Sequence, residues 1–242
     1  MHLIVVDDDA ALSRVGANEV AALIATRPAA TLLVATGNTP MGLYADLARR
    51  HQRSELDTSQ LRVVQLDEYL GIGEDDRRSL YGWMMRSFVV PLGVPATNVV
   101  RLPGDAPDPA AACRDYDAAI ARLGGIDLAI LGLGPNGHLG FNEPPSEADA
   151  PTRVVDLTPE SVASKAPYWG GADQVSRQAL TAGMDVLLAA RRTLLVVAGA
   201  HKREILHRTM HGPVSPDVPA SFLQQLPSAT VIADRAAMNG QT

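Results

Sequence analysis

The sequence predicts an α/β fold with a doubly wound, mostly parallel sheet and helices on both faces, as in Rossmann-like domains. Short runs rich in β-branched residues alternate with longer runs in which apolar residues recur every three or four positions. Several of the short runs are apolar on both faces, as strands covered by two helix layers are. This alternation implies right-handed crossovers between parallel strands.

The predicted elements follow this alternation along the chain. The predicted strands are short apolar runs: Leu3–Val6, Thr31–Ala35, Leu61–Leu66, Asp127–Leu133, Arg153–Leu157, Leu194–Ala198 and Thr230–Ala233. The predicted helices carry apolar residues at helical spacing: Ala10–Thr26, Met41–His51, Arg78–Val90, Pro109–Leu123, Gln174–Ala190 and Lys202–Met210. The loop Pro144–Pro151 and the segment Ser161–Asp173 are rich in Pro, Gly, Ser and Ala, so mobile segments are expected there.

Length and composition favour a single globular domain. With 242 residues, of which 46% are apolar, the chain is long enough for one α/β domain over residues 1–242 with a substantial core. The formal net charge of -6 argues against nucleic acid as a partner, because phosphate backbones need a basic protein face. No stretch approaches the roughly 20 apolar residues of a membrane span, so no membrane association is expected.

The N-terminus and the cysteine content favour a cytoplasmic protein. The first residues, Met-His-Leu-Ile-Val-Val-Asp-Asp-Asp, lack the charged start and apolar middle of a signal peptide. Cys113 is the single cysteine, so no intramolecular disulfide can form, which fits a reducing compartment. Little sequence follows the last predicted strand, and the expected assembly is a monomer or a homodimer.

The stretch from Leu131 to Pro144 carries the clearest indication of chemistry. It reads Leu-Gly-Leu-Gly-Pro-Asn-Gly-His-Leu-Gly-Phe-Asn-Glu-Pro, and its glycines allow a positive φ and a close approach of backbone to ligand. His138, with Asn136 before it and Glu143 after it, lies just past the carboxyl end of a buried strand, where open α/β sheets bind ligands. This order predicts proton transfer on a small molecule.

The same stretch resembles the signature of the glucosamine-6-phosphate deaminase family, G-x-G-x-D-G-H-x-x-F-N-E-P. The matching positions are Gly132, Gly134, Gly137, His138, Phe141, Asn142, Glu143 and Pro144. The resemblance implies the fold shared by these deaminases and 6-phosphogluconolactonases. It also implies that His138 opens the pyranose ring with Glu143 as its partner, and that Gly137 contacts substrate. Asn136 replaces the family's aspartate; an amide can orient the imidazole by a hydrogen bond but cannot offset the charge of an imidazolium.

The run Thr36 to Pro40, Thr-Gly-Asn-Thr-Pro, follows directly after a predicted strand. Thr39 suits a helix N-cap and Pro40 the first helical position, and a glycine turn before a helix offers N–H groups to a phosphate. From these residues alone, an ordinary strand–helix turn is an equally good interpretation. The family binds the substrate phosphate with a T-G-[GS]-T-P turn, so the resemblance assigns Thr36, Gly37, Asn38 and Thr39 to phosphate binding.

Asp67 and Glu68 follow the predicted strand Leu61–Leu66 in the run Leu-Asp-Glu-Tyr-Leu-Gly. Adjacent carboxylates in a strand or turn usually diverge, so a solvated loop pair is the simpler interpretation of the two residues by themselves. The run resembles the family's D-E-Y motif, whose aspartate moves the proton at carbon 2 of the sugar. The resemblance therefore makes Asp67 the candidate base.

Two lysines are candidate cationic ligands of the phosphate. Lys202 follows a predicted strand in the run Gly-Ala-His-Lys and matches the lysine of the family's G-x-x-K turn. A cation in the first turn of a helix lies at the unfavourable end of the helix dipole, which favours a functional reason for it. Lys165 is the closest position to the family's phosphate-binding arginine, where a lysine would supply a point charge in place of a bidentate fork.

The sequence thus predicts a cytoplasmic aminosugar-6-phosphate deaminase that isomerises its substrate and releases ammonia. Its partner is a small sugar phosphate, and neither a metal nor another cofactor is expected, since no metal-ligand spacing such as H-x-x-x-H or C-x-x-C occurs. Asn136 and the stretch Val214–Leu223 resemble the galactosamine-6-phosphate branch of the family, which leaves the configuration of the sugar open.

Two alternatives remain at the level of sequence. A 6-phosphogluconolactonase has the same fold, but that family usually continues toward L-F-P-G where this chain has Phe141-Asn-Glu-Pro. A non-catalytic sugar-phosphate-binding protein is the other alternative. Effector domains of that kind in transcription regulators accompany a helix-turn-helix, whereas this chain starts at once with a strand.

Overall fold

Ten strands form two sheets in the computed structural model, which describes residues 1–238. In chain order they are β1 (His2–Val6), β2 (Thr31–Val34), β3 (Arg62–Gln65), β4 (Asp67–Tyr69), β5 (Val99–Val100), β6 (Leu128–Gly132), β7 (Arg153–Asp156), β8 (Gln178–Thr181), β9 (Thr193–Val197) and β10 (Ala229–Asp234). Seven of these strands form the main sheet, in the order β1-β10-β9-β6-β2-β3-β5, and every neighbouring pair is parallel.

The helices of the described residues connect these strands. They are α1 (Asp9–Thr26), α2 (Met41–Gln52), α3 (Leu80–Met84), α4 (Pro109–Arg122), α5 (Pro159–Trp169), α6 (Met184–Leu188), α7 (Arg203–His211) and α8 (Arg235–Met238). A π-helical turn, Met85–Val89, continues α3, and 3-10 turns cover Ala96–Asn98, Ala200–Lys202 and Pro219–Gln225. None of the helices within residues 1–238 combines the length and the apolar character that crossing a bilayer would need.

Two hydrophobic cores lie on opposite faces of the main sheet. Successive side chains of a strand point to opposite faces, and β2 shows this directly: Leu32 and Val34 belong to one core, Leu33 to the other. The core that contains Leu32 is covered by α1, α2 and the π-helical turn, and the core that contains Leu33 by α4, α6 and α7. The predicted doubly wound sheet with helices on both faces is confirmed.

The main sheet reverses its direction of growth between β2 and β6. From β2 the chain adds β3 and β5 toward one edge, and from β6 it adds β9 and β10 toward the other. The carboxyl ends of β2 and β6 are therefore the topological switch point, where such folds bind ligands. The segments that leave these two ends are Thr36–Pro40 and residues 133–138.

A second, antiparallel sheet, in the order β4-β8-β7, lies beside the main one and corrects three predictions. The strand predicted at Arg153–Leu157 forms, but it joins this small sheet. Asp67 belongs to a strand, β4, and not to the solvated loop that was the simpler interpretation of its sequence. The helix predicted over Gln174–Ala190 is wrong in its first half, because residues 178–181 form β8, the central strand of this sheet; pairing on both sides outweighed the short helical periodicity.

Two helix starts also differ from the predictions. The segment Ser161–Asp173, expected to be a mobile loop, lies largely in α5, which Thr158 caps by accepting from the N–H of Ser161. The composition of this segment did not predict a helix, because the helix contains a proline, Pro167. At α2 the N-cap position is Pro40 and no side chain caps it, so Thr39 is free of the capping role predicted for it.

Candidate active site

A cavity of about 780 Å³ opens at the switch point of the main sheet, a size usual for small-molecule sites. On the sheet side it is lined by residues from the ends of β2, β3, β4 and β6: Ala35, Thr36, Gly37, Asn38, Thr39, Pro40, Leu66, Asp67, Tyr69, Gly132, Leu133, Gly134, Pro135, His138, Gly140 and Phe141. On the other sides it is lined by side chains near α3, α5 and α7: Arg77, Arg78, Leu80, Trp83, Arg86, Ser87, Ser164, Lys165, Tyr168, Trp169, His201 and Lys202.

The turn from Thr36 to Thr39 presents unpaired backbone N–H groups to this cavity. Gly37 has a φ of 104°, which favours glycine. Within residues 1–238 we find no acceptor for the N–H groups of Thr36, Gly37, Asn38 or Thr39. Four backbone donors in a row before a helix, none of which a protein acceptor reaches, are the arrangement that binds an anion.

Lys202 and Lys165 bring positive charge to the same cavity. Lys202 ends the 3-10 turn before α7, and its Nζ donates to the carbonyl oxygen of Leu133 at 2.7 Å. Burial and the charge of Lys165 lower the pKa of Lys202 to about 8, although Glu160 acts in the opposite direction. Burial also lowers the pKa of Lys165, which lies on α5 near the carboxylate of Asp67. The positive charges of the two lysines repel each other, so a bound dianion would stabilise the charged forms of both.

The pH dependence of anion binding provides a test of Lys202. Because its pKa in the free protein is about 8, Lys202 is charged below that pH and neutral above it. A phosphate monoester is largely a dianion above its second pKa of about 6, so we expect its binding to weaken as the pH rises through about 8. The measurement is the dissociation constant of a sugar phosphate monoester that the protein does not turn over, between about pH 7 and 9.5.

Lys202→Arg is the matched variant for this test, because arginine stays charged throughout that range. The variant should bind phosphate with little change above pH 8. A fall in affinity that is the same in both proteins would remove Lys202 from the anion site.

His138 is held against Glu143 at the back of the cavity. Its Nδ1 lies 3.3 Å from Oε2 of Glu143 and 3.4 Å from Oγ of Ser161. A Cβ atom at Gly134 would lie 2.2–2.4 Å from three atoms of the imidazole, so only glycine allows this ring position. The opposite ring nitrogen, Nε2, has no hydrogen-bond partner within residues 1–238 and is the atom that can reach a ligand.

Glu143 is an ionised partner for this histidine. Burial pushes the pKa of Glu143 upward, but the hydrogen bond and charge of His138, with hydrogen bonds from Ser161 and Asn136, outweigh burial and bring it to about 2. Thr158 also donates to Oε2, at 3.3 Å. The carboxylate is therefore charged at neutral pH and stabilises a positive charge on the imidazole.

The side chain of Asn136 bonds to Glu143, and within residues 1–238 it makes no hydrogen bond to the imidazole of His138. Its Nδ2 donates to Oε2 of Glu143 at 2.8 Å, and its Oδ1 accepts from the backbone N–H of His138 at 3.3 Å. The prediction that this amide orients the imidazole directly is corrected accordingly. The reason is geometric: the turn directs the amide to the carboxylate oxygen that already contacts the histidine.

Asp67 lies in the cavity as a buried carboxyl group, not in the solvated loop pair that its sequence alone allowed. The residue is 7% exposed, and we find no hydrogen-bond partner for its carboxyl group in the described part of the chain. Burial is the largest influence and, with the charge of Glu68, raises the pKa of Asp67 to about 7, although Lys165 opposes both. A carboxyl group with this proton affinity is suited to accept and return a proton near neutral pH.

Gly137, like Asn136 and Glu143, is not among the residues that line the cavity. Its φ is 88°, and a Cβ atom there would lie 2.7 Å from Cγ1 of Val218. Its carbonyl oxygen accepts from the N–H of Ala220 at 2.8 Å. Gly137 thus serves close packing of the loop that carries His138, and its contact with substrate stays a prediction.

Sequence reasoning missed the contributions of α5 and of the α3 region. Thr158 and Ser161 support the histidine–glutamate pair, and the signal that could have found them was a threonine followed by proline, typical of a helix start. Three arginines, Arg77, Arg78 and Arg86, also line the cavity. They belong to no motif, and only the packing of α3 against the sheet brings them there.

A proton-transfer cluster and an anion-binding turn at the switch point of a parallel sheet define an enzyme that acts on a small molecule. The chain belongs to the family described as glucosamine-6-phosphate isomerases/6-phosphogluconolactonase, whose model matches residues 9–232. The family and the fold inferred from the sequence are thereby confirmed.

Several relatives match over nearly the whole chain. A glucosamine-6-phosphate deaminase from Halothermothrix orenii is 37% identical over 237 residues, which are 98% of this chain and 98% of the relative. Another from Rhodopirellula baltica is 41% identical over 234 residues, 97% and 93% of the two chains. The solved structure of a monomeric glucosamine-6-phosphate deaminase is 35% identical, with a TM-score of 0.96 over 98% of each chain. A 6-phosphogluconolactonase from Trypanosoma cruzi, 21% identical with a TM-score of 0.79 over 100% of this chain and 97% of that one, shares the fold.

Proposed function

We propose that this protein is an aminosugar-6-phosphate deaminase, and specifically a glucosamine-6-phosphate deaminase, which converts its substrate to the ketose 6-phosphate and ammonia. The observation that carries this proposal is the buried carboxyl group of Asp67, with a pKa of about 7, in the same cavity as His138 and the free N–H groups of the Thr36–Thr39 turn. A base, an acid and an anion site in one cavity match an aldose–ketose isomerisation of a sugar phosphate.

The residues divide the proposed reaction between them. The phosphate binds to the Thr36–Thr39 turn and to Lys202, with Lys165 beside it. His138, held by Glu143, moves the proton that opens the pyranose ring. Asp67 then removes the proton from carbon 2 and returns a proton to carbon 1, which leaves an imine at carbon 2. Water hydrolyses this imine and releases ammonia.

The choice of glucosamine over galactosamine follows from the relatives and from the lining of the cavity. The relatives that match over most of this chain are named glucosamine-6-phosphate deaminases. The residues whose sequence resembled the galactosamine branch, Asn136 and Val214–Leu223, are not among those that line the cavity. Such residues have no direct means of reading the hydroxyl group at carbon 4.

One assay tests the proposal. Purified protein is given glucosamine 6-phosphate, galactosamine 6-phosphate and 6-phosphogluconolactone, and release of ammonia or opening of the lactone is followed. We expect ammonia from glucosamine 6-phosphate at the highest kcat/KM. Faster turnover of the galactosamine epimer would correct the substrate, lactone hydrolysis alone would correct the reaction, and no turnover with tight binding would indicate a sugar-phosphate-binding protein.

For the assembly we propose a monomer, because the solved relative with a TM-score of 0.96 is described as monomeric. Light scattering across a hundredfold range of protein concentration tests this. A mass near twice the chain mass of 25.6 kDa would indicate the homodimer instead.

A further inference from the structure

Glu68, the neighbour of the candidate base, is a fully buried carboxyl group. It is 0% exposed, and none of the steps proposed above uses it. Asp67 and Glu68 are consecutive residues of β4, so their side chains point to opposite faces of that strand. Asp67 lines the cavity, and Glu68 is directed toward the segment that begins α3.

The carboxyl group of Glu68 accepts five hydrogen bonds. Its Oε1 accepts from the N–H groups of Tyr69 and Leu80, both at 2.9 Å. Its Oε2 accepts from the N–H of Tyr81 at 2.9 Å, from Oγ of Ser79 at 2.7 Å and from Nε2 of Gln65 at 3.2 Å. These donors belong to three elements, namely the end of β3, β4 itself and the first turn of α3.

This set of donors fits the charged form of Glu68. Burial raises the pKa of Glu68 above its usual value, and hydrogen bonds from Tyr81, Leu80, Ser79 and Tyr69 offset part of that effect. A protonated carboxyl group would have to donate one hydrogen bond, and four of its five partners are N–H donors. We therefore treat Glu68 as a buried anion that is stabilised by charge-assisted hydrogen bonds.

The same hydrogen bonds fix the place of Asp67. Gln65, which donates to Glu68, also donates to the carbonyl oxygen of Asp67 at 2.8 Å. The α3 segment that Glu68 contacts carries Leu80 and Trp83, which line the cavity. Removing the carboxylate would leave three backbone donors unpaired in the interior, which would favour a shift of β4 away from α3.

We propose that Glu68 is a positioning residue. Its buried carboxylate holds β4 against α3, and it thereby fixes the position of Asp67 and places a negative charge close to the carboxyl group of Asp67. The proposal deepens the proposed deaminase function and rests on it for the role of Asp67. Displacement of a reacting group by about 1 Å typically costs about 10²-fold in rate, which is the size of effect expected here.

The charges around Asp67 make this role measurable. Apart from Glu68, the titratable groups that face Asp67 are Lys165 from α5, Tyr116 from α4 and Tyr69 from β4. The two tyrosines are neutral near pH 7, because burial raises the pKa of each above its usual value. The charge of Glu68 adds to burial in raising the pKa of Asp67, so removal of that charge should move the Asp67 titration to lower pH.

Two variants separate charge from geometry. Glu68→Gln keeps the length and removes the charge, while Glu68→Asp keeps the charge and shortens the reach. We expect the titration of Asp67, followed by carbon-13 NMR of labelled aspartate and assigned with Asp67→Asn, to move to lower pH in Glu68→Gln and to stay near that of the wild type in Glu68→Asp. Both variants should lose about 10²-fold in kcat with less than a threefold change in KM, because the phosphate ligands lie on other elements.

Asp108→Asn is the control for the loss of a carboxylate that accepts a hydrogen bond at the start of a helix. Asp108 caps α4 by accepting from the N–H of Ala111 at 2.9 Å, and it does not line the cavity. This variant should leave both kcat and the Asp67 titration unchanged. If Glu68→Gln does not fold, Ser79→Ala removes one of the five donors and should still lower kcat.

The outcomes distinguish this proposal from the proposed function. An unchanged Asp67 titration in folded Glu68→Gln, or a loss of kcat equal to the loss of folded protein, would overturn the positioning role. The NMR titration needs no turnover. If the Asp67 titration shifts in Glu68→Gln but the wild-type protein releases no ammonia, the link between Glu68 and Asp67 is supported and the proposed deaminase function is contradicted.

Discussion

Asp67→Asn is expected to lower kcat by about 10²–10⁴-fold and to leave the binding of phosphate intact. The amide has nearly the shape of the carboxyl group but cannot accept the proton from carbon 2. Because Asp67 contributes no group to the anion-binding turn, inorganic phosphate should bind the variant as it binds the wild type. The measurement is ammonia release together with exchange of solvent deuterium into carbon 2, and both should disappear.

The pH profile of the wild type belongs to the same prediction. Asp67 must be deprotonated to act as a base, and its pKa is about 7. The rate should therefore rise as the pH increases through about 7 and should be small below pH 5.5. A profile that stays flat down to pH 5.5 would be incompatible with Asp67 as the base.

Asp117→Asn is the matched control for Asp67→Asn. Asp117 is a partly buried carboxyl group; as at Asp67, burial raises its pKa, while its hydrogen bond with Thr152 acts in the opposite direction. It does not line the cavity. Loss of activity in the control equal to that of Asp67→Asn would mean that the loss reflects the removal of a buried carboxyl group as such, and the assignment of the base would be withdrawn.

His138→Asn is expected to lower kcat/KM by about 10²-fold or more. Asparagine can keep a hydrogen bond to Glu143, but it removes the imidazole nitrogen Nε2, the atom of His138 that can reach a ligand. If His138 serves ring opening alone, then deuterium exchange at carbon 2 per ammonia released should stay as in the wild type, because Asp67 is untouched. A change in that ratio would assign His138 to the proton step at carbon 2 as well.

His51→Asn provides the control for this variant. His51 is partly buried, and its Nδ1 lies 3.1 Å from the carbonyl oxygen of Leu56 and 3.1 Å from Oγ1 of Thr58. It lies outside the cavity lining, so the variant should keep full activity. Equal losses in the two variants would indicate that replacing a packed histidine, and not loss of acid–base chemistry, causes the effect.

Local signals were sufficient for most of the main sheet. The apolar runs that became β1, β2, β3, β6, β9 and β10 are continuous and short, and helical spacing marked α1, α2, α4 and α7. The prediction failed at β8, where four residues lie within a longer run of helical spacing, and at β5, which has only two residues. Elements of that length are defined by the strands they pair with, and these strands are distant in sequence.

The sequence by itself determined the class of fold, the family and the candidate residues that lie in motifs, because these depend on residues within a few positions of one another. The turn Thr36–Thr39 is one continuous stretch of sequence, and so is the loop that carries His138. The order of strands and helices requires the ends of β2 and β6 to lie next to each other. Only the tertiary structure decided which atoms touch. In the folded protein Asn136 bonds to Glu143, Gly137 lies outside the cavity lining, and Glu68 accepts hydrogen bonds from five donors. The bonds of Glu68 depend on how β4 packs against α3, and the environment of Gly137 depends on the segment around Val218. Packing between such distant segments leaves no periodic trace in the sequence.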